Sequence, residues 1–359
     1  MSFAAATPAA PPRVRFAADV LRGAWAGASG AAQGAAAVPR HADPARLQTL
    51  AGQAMGTRWS VRLDNPGFVP LVPVRAAVEA ALALVVRQMS PWEADSDLSR
   101  FNRAPAGSWH ALPAEFFTVL HSAFAWAQAS GGAWDPTVGP LVDLWGFGPR
   151  PDPLAPHRAA VPGAAALAAA RARVGFGRIA LDAPARRALQ PGGAHLDLCG
   201  IAKGYAVDLA AQALAGLGFT DFLVEVGGEL RARGVRPGGQ PWRVAVDAVA
   251  GLPARVLALR DQAVATSGDH WHAFEHGGRR YSHTIDPRSG EPVRHALASV
   301  TVLHAECMQA DALATLLTVL GPRQGLDFAQ AHGVAAQWCE RTGAGTAFRA
   351  TSFFPADGA

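Results

Sequence analysis

Apolar side chains recur along this chain at two periods, and the changes of period predict the order of its elements. From Ala54 the run A-M-G-T-R-W-S-V-R-L alternates apolar and polar positions, as a strand buried on one face does. Val74 to Met89 then carries its aliphatic residues at helical spacing, so a strand followed by a helix opens the folded body. Pro113 to Ser130 repeats the helical pattern and is stopped by Gly131 and Gly132. Further helices are expected over Ala164 to Val174 and Tyr205 to Leu217, and over Met308 to Leu320 and Arg323 to Ala331, the last two separated by a Gly321-Pro322 stop. Strand signals fall at Arg178 to Leu181, Phe222 to Val226, Trp242 to Val246, Arg255 to Leu259, Ala263 to Thr266, Ser299 to Leu303, Val334 to Cys339 and Thr346 to Ala350. Strands interleaved with helices in this way, and without a repeat of fixed period, predict an α/β fold of mixed α+β character.

The segments between these elements carry the polar and aromatic residues. Ser90 to Arg103 is a polar loop in which Asp95 or Ser96 is placed to start a short helix. Its Trp92 is either a lid on the core or a stacking surface. Trp134 to Leu141 and Trp145 to Gly148 read as a rigid aromatic loop, and Pro149 to Pro162 as a surface connection. The stretch Leu196 to Asp208, L-D-L-C-G-I-A-K-G-Y-A-V-D, runs from an apolar strand-like segment through a glycine-flanked turn into a helix. An acid at Asp197, glycines at Gly200 and Gly204 that let backbone approach a ligand, and Lys203 at the helix start suit an anionic, phosphate-bearing partner. The alternative is a plain strand-to-helix connection, since no complete phosphate-loop pattern is present.

Composition narrows the picture. A chain of 359 residues, 50% hydrophobic and 17% charged, has the length for a large core in one elaborate domain or two packed subdomains. The formal net charge of +4 comes without a basic run, which gives nucleic-acid binding no footing. Three cysteines, Cys199, Cys307 and Cys339, lie in apolar runs without metal-type spacing, as buried free thiols do. Residues 1–46 are rich in Ala, Pro and Gly and are expected to be a disordered leader ahead of a body spanning 50–355. After Arg13 and Arg15 the leader is interrupted by Asp19 and Arg22, a poor secretory signal, and it has no N-terminal Cys for a lipid anchor. That favours the cytoplasm over an exported location. No run of about 18 strongly apolar residues suits a membrane-spanning helix.

Two groups of residues have chemical potential of their own. The helix M-Q-A-D-A-L-A-T-L-L-T-V-L holds one acid, Asp311, with Thr315 one turn later on the same face. A carboxylate and a hydroxyl at that spacing are hard oxygen ligands suited to Mg²⁺; alternatively Asp311 accepts backbone N–H bonds near a helix start and Thr315 bonds back to a carbonyl. His283, in Y-S-H-T-I-D-P, is either a general base or a histidine bonded within the core. The pair His270 and His272 lacks the third ligand that zinc needs.

In order and in combination, M-G-T-R-W-S-V, M-S-P-W-E-A-D-S-D-L-S-R-F-N, W-D-P-T-V-G-P-L with L-W-G-F-G-P, D-L-C-G-I-A-K-G-Y-A-V-D, V-E-V-G-G-E-L, A-T-S-G-D-H, Y-S-H-T-I-D-P-R-S-G-E-P-V and A-D-A-L-A-T resemble the ApbE family of FAD:protein FMN transferases. The resemblance runs from about Ala54 to Ala350. It implies a two-subdomain fold with mixed sheets and an FAD cleft between them, and Mg²⁺ on the FAD pyrophosphate. The implied reaction moves FMN onto a Thr or Ser hydroxyl of a target protein and releases AMP. Carried over by position, Asp311, Thr315 and the carbonyls of Gly200 and Ala314 would hold the metal. Met55, Trp92, Ala133, Trp134, Asp135, Asp197, Lys203 and Ile285 would surround FAD, and His283 would be the base. The acceptor implied is a D-[G/S]-x-[S/T]-G-A-T type segment. Trp92 stands where Tyr is frequent, and Cys199 where Gly or Ser is usual. The same site with water in place of the hydroxyl would be an FAD pyrophosphatase, and a flavin-binding protein without catalysis is the reading from another class.

Overall fold

The computed structural model describes residues 44–149, 161–246, 255–269, 273–343 and 345–355. The alternating run that opens the body is a strand, as expected, and the second of a hairpin: β1 (Leu47–Ala54), ahead of it, turns at Met55 and Gly56 into β2 (Thr57–Asp64). Both turn residues have positive φ, 54° and 70°, the geometry that matches a two-residue turn to the twist of its strands. Trp59, Val61 and Leu63 of β2 point into the core and the residues between them do not. Helices α1 (Val72–Met89), α2 (Asp97–Asn102), α3 (Ala114–Ala129), α4 (Gly139–Leu144) and α5 (Ala164–Arg171) follow, with β3 (Ser108–Ala111), β4 (Leu181–Asp182) and β5 (Arg187–Gln190) forming a small sheet. Ser96 caps α2, its hydroxyl accepting from the Ser99 N–H at 3.0 Å, as expected. The short α4 lies inside what the aromatic residues suggest is a loop.

Next come α6 (Ala202–Gly216), β6 (Phe222–Val226), β7 (Glu229–Arg233), the hairpin β8 (Trp242–Val246) and β9 (Arg255–Leu259), and β10 (Ala263–Gly268). The short ladders β11 (Ala273–His276) with β12 (Arg279–Ser282) and β13 (Ile285–Asp286) with β14 (Glu291–Pro292) precede β15 (Leu297–His304). Helix α7 (Cys307–Ala331) is two helical segments that meet at the expected Gly321-Pro322 break, where the Gly321 φ of 74° is not helical. Strands β16 (Ala335–Thr342) and β17 (Gly345–Ala350) close the fold.

The main sheet has the order β1-β2-β6-β7-β10-β15-β16-β17. Mixed strand directions are expected, yet every described ladder is antiparallel. For three of its seven neighbour pairs, β1-β2, β6-β7 and β16-β17, the reason is local: they are hairpins, which reverse the chain by construction. One face carries α1, α6 and α7 over the largest core, with Trp59, Phe116, Phe222 and Trp338 buried. The other is covered by the β8–β9 hairpin, whose Trp242, Val244, Leu257 and Leu259 pack on Leu223, Val264 and Leu303. Among the described residues no helix is long and apolar enough to cross a membrane.

The run before α6, expected as a strand, is extended but joins no sheet. Asn102, at the end of α2, takes the place of a neighbouring strand: its Oδ1 accepts from the Leu196 N–H at 2.8 Å and its Nδ2 donates to the Leu196 carbonyl at 2.9 Å. The Asp197 N–H donates to the Pro136 carbonyl at 2.8 Å. The leader lies, up to residue 43, outside the described residues, as do 150–160 of the expected surface connection and the pair His270 and His272. Pro44–Arg46 form a 3-10 turn, and Arg46 pairs with the buried Asp64 at 2.7 Å.

Asp208 joins three elements. From α6 it accepts the Cys307 and Met308 N–H groups at 3.0 and 2.9 Å, capping α7, and it pairs with Arg231 of β7 at 2.5 Å. Asp208→Ala removes the cap and leaves Arg231 without its acid. It is expected to cost about 3 kcal/mol or more in urea unfolding at pH 7; a loss below about 1 kcal/mol would show that the carboxylate does not hold these elements together.

Candidate functional site

The glycines of D-L-C-G-I-A-K-G bring the start of α6 against α7. A Cβ on Gly204 would lie 2.3 Å from the Cys307 carbonyl oxygen and 2.8 Å from the Asp311 Cβ, and one on Gly200 would lie 3.0 Å from the Thr315 hydroxyl. A side chain at Gly204 would force the two helices apart, and one at Gly200 would press on Thr315. Asp311, only 5% exposed, accepts the Gly204 N–H at 2.9 Å. Its backbone donor therefore comes from the N-terminal turn of another helix, where amide groups are unpaired within the helix. Ala314 is buried, and its carbonyl accepts the Thr318 hydroxyl at 2.8 Å. Gly200, Asp311, Ala314 and Thr315 thus gather at one junction.

Lys203 and an acid not singled out from the sequence, Glu229, complete it. The Lys203 ammonium lies 2.7 Å from one oxygen of Glu229, and the other oxygen is buried without a hydrogen-bond partner. Burial pushes the Glu229 carboxyl up to about 7, with Lys203 opposing the rise and Asp311 adding to it. Burial alone would depress the Lys203 ammonium, but the Glu229 and Asp311 charges outweigh it and hold the group above its usual value. Asp311 is raised by burial as well, against Lys203 and the Gly204 N–H. The Cys199 thiol is pushed well above its ordinary value by burial and by the adjacent Asp197, whose carboxylate also accepts the Cys199 N–H at 2.8 Å. It is a poor thiolate there.

Two buried acids, only one of them within pairing distance of the Lys203 ammonium, leave a negative surplus. This donor set fits a hard divalent cation. Among the described residues no three His, Cys, Asp or Glu side chains converge on a metal position. Further ligands would therefore be carbonyls, hydroxyls and substrate oxygens, the kind Mg²⁺ accepts.

The Pro136–Asp197 bond sets the 133–137 loop beside this junction. Ala133 and Trp134 are buried there. Asp135 is buried too, and both its oxygens already bond protein: one accepts the Thr137 N–H and hydroxyl at 2.8 and 2.6 Å, the other the Phe176 N–H at 2.9 Å. Burial raises its carboxyl against these bonds.

His283 and Ile285 belong to a second group, built on W-G-F-G. The Trp145 indole N–H donates to the Gly290 carbonyl at 2.9 Å and its ring stacks on Tyr281 at 5.6 Å. Phe147 meets the His283 ring edge-on at 6.3 Å, and Ile285 is buried with Leu141 and Trp145. Met55 sits at the β1–β2 turn against the main core, whereas Trp92 is 62% exposed, a ring free to stack rather than a core lid. Glu229 had a sequence signal: an acid directly after two glycines at the start of a strand whose neighbour in the sheet is buried.

The chain belongs to the ApbE family, whose profile matches residues 55–338. It is 37% identical over 317 residues to the FAD:protein FMN transferase of Vibrio cholerae serotype O1, a match covering 87% of this chain and 92% of that protein. The FAD:protein FMN transferase of Haemophilus influenzae is 36% identical, covering 86% of this chain and 91% of its own. Among solved structures, the apo form of the Pseudomonas stutzeri flavinyl transferase ApbE superposes with a TM-score of 0.78 at 39% identity, over 86% of this chain and 95% of that one. The mixed α/β fold is that of these flavin transferases.

The Glu229 shift has a sign that can be checked. Between its ordinary value of 4.5 and about 7, the folded protein keeps a proton that the unfolded chain has released, so stability falls as pH rises through that window. The metal-free protein is expected to lose up to about 3 kcal/mol between pH 5 and 8 from this group. Glu229→Gln should show a correspondingly flatter profile in denaturant titrations; parallel profiles for the two proteins would mean that Glu229 titrates normally.

Proposed function

We propose that the chain is an FAD:protein FMN transferase that moves FMN from FAD onto a Thr or Ser hydroxyl of a target protein and releases AMP. The observation that carries this reading is the α6–α7 junction, where Asp311 and Thr315 meet Gly200 and Gly204 beside Lys203, in a chain of the ApbE family.

Phosphoryl-type transfer needs little covalent help from a protein; it needs charge neutralisation, an in-line hydroxyl and a place for the proton. Asp311, Thr315 and the carbonyls of Gly200 and Ala314 would hold Mg²⁺, which when bound would offset the charge of the FAD pyrophosphate. Lys203, at the N-terminus of α6, adds a fixed positive charge in a region that already favours anions. Met55, Trp92, Ala133, Trp134, Asp135, Asp197 and Ile285 surround FAD, with Trp92 as a stacking face for an aromatic ring. The acceptor oxygen forms a bond to the phosphorus of the FMN half, the bond from that phosphorus to the oxygen of AMP breaks, and the hydroxyl proton passes to His283. The partner protein presents its hydroxyl in a D-[G/S]-x-[S/T]-G-A-T type segment. Mass spectrometry of such a peptide after incubation with enzyme, FAD and Mg²⁺ tests the reading. An FMN-bearing peptide with AMP is the expected result. Free FMN and AMP with an unmodified peptide would make the protein an FAD pyrophosphatase, and unchanged FAD would make it a flavin-binding protein.

Two substitutions examine the roles separately. Asp311→Ala is expected to lower transfer in Mg²⁺ by about a thousandfold or more, since a ligand to the charge-neutralising ion is lost. A folded variant with near-normal turnover would remove Asp311 from the metal site.

His283→Ala should leave FAD affinity within a few fold while single-turnover transfer falls by about a hundredfold or more. Fluorescence titration of FAD beside single-turnover kinetics reads both quantities, and an unchanged transfer rate would exclude His283 as the base.

A further inference from the structure

We propose that Glu229 is a positioning residue: it acts through Lys203, holding the ammonium on the open side of the α6–α7 junction and away from Asp311. The role assigned to Lys203 rests on the FMN-transfer reading above.

Strand β7 offers a built-in comparison. Glu229 and Arg231 are two residues apart, so they share a face, and each grips a residue of α6: Glu229 holds Lys203 at 2.7 Å and Arg231 holds Asp208 at 2.5 Å. The second pair is fully used, because both Asp208 oxygens also take backbone N–H groups at the start of α7. The first is not. Glu229 spends one oxygen on Lys203, and the other is buried without a partner. A carboxylate kept for stability alone would have both oxygens bonded, since an unsatisfied buried acceptor costs free energy.

The pair is also lopsided. The Glu229 side chain is 4% exposed and that of Lys203 34%, so the acid is the anchor at the bottom and the cation faces outward. The anchor is itself fixed: Glu229 follows Gly227 and Gly228, both at positive φ, and the Gly228 N–H donates to Glu225 at 3.1 Å. A lysine has a long, freely rotating stem, and a rigid acid beneath it removes most of that freedom before ligand arrives. Asp311 is the competing partner, because it is buried beside the Lys203 backbone, where it takes the N–H of the next residue, Gly204, at 2.9 Å. Without Glu229 the ammonium is free to swing toward Asp311 and occupy the carboxylate that a divalent cation requires.

The test compares wild type, Glu229→Gln, Lys203→Met and the double variant. Glu229→Gln is expected to keep a melting temperature no lower than wild type. Acetylation of Lys203 by an amine-reactive reagent, followed by peptide mass spectrometry, should run about fivefold faster or more in Glu229→Gln. FAD binding, followed by flavin fluorescence, should weaken by about tenfold, with turnover at saturating FAD within a few fold of wild type. The loss should match that of Lys203→Met, and the double variant should be no worse than either. Unchanged acetylation would overturn the proposal, as would additive losses in the double variant or a binding loss that tracks a lowered melting temperature. If wild type itself binds no FAD, the transferase reading fails instead, and the acetylation rates alone then decide whether Glu229 fixes Lys203.

Discussion

Everything at the candidate site depends on how closely two helices are allowed to approach. Gly200 and Gly204 leave no side chain between the start of α6 and the body of α7, and the Gly204 N–H donates to Asp311 across that contact. A carboxylate in so apolar a helix would be a liability in isolation. Here it is bonded from one side by backbone and faced by Lys203, and the remaining negative character is what a hard cation or a pyrophosphate-bound metal would meet. The same contact sets Thr315 opposite Gly200. One steric permission thus accounts for the presence of four candidate ligands in one place.

The surrounding architecture makes that contact rigid. Strand β7 reaches across with two charged side chains, Glu229 to Lys203 and Arg231 to Asp208, and Asp208 caps α7 from the side. The main sheet, buried beneath α6 and α7, supplies the platform. A functional region built on helix starts and strand ends of one core moves little when a ligand arrives, which suits a reaction whose catalysis is mostly placement.

The long helices are legible in the sequence because their apolar spacing spans many turns: α1, α3 and α7 begin and end within a few residues of where periodicity puts them. The five-residue strands Phe222–Val226, Trp242–Val246 and Arg255–Leu259 fall where alternation puts them, but other short strands are not legible. Ser108–Ala111 and Arg187–Gln190 are too brief for alternation to register, and Glu229–Arg233 is masked by its charges. Residues 194–198 look like a strand because they are extended, but the groups that pair with them sit on Asn102 and Pro136, far away in sequence. The metal-type residues are legible as a motif, whereas Glu229 is legible only as the acid that follows two glycines, since its importance comes from facing Lys203 and only the folded chain puts the two together.

The bonds that assemble the junction span great lengths of chain. Asn102 reaches Leu196 across 94 residues, Asp208 reaches Cys307 across 99, and Gly204 reaches Asp311 across 107. Closing loops of that size carries a large entropic cost and makes folding slow relative to chains with local contacts. A nascent chain emerging from the ribosome therefore has no such junction until α7 has been synthesised. The junction exists only in a finished domain, and a fragment ending before Cys307 would lack both Asp311 and Thr315.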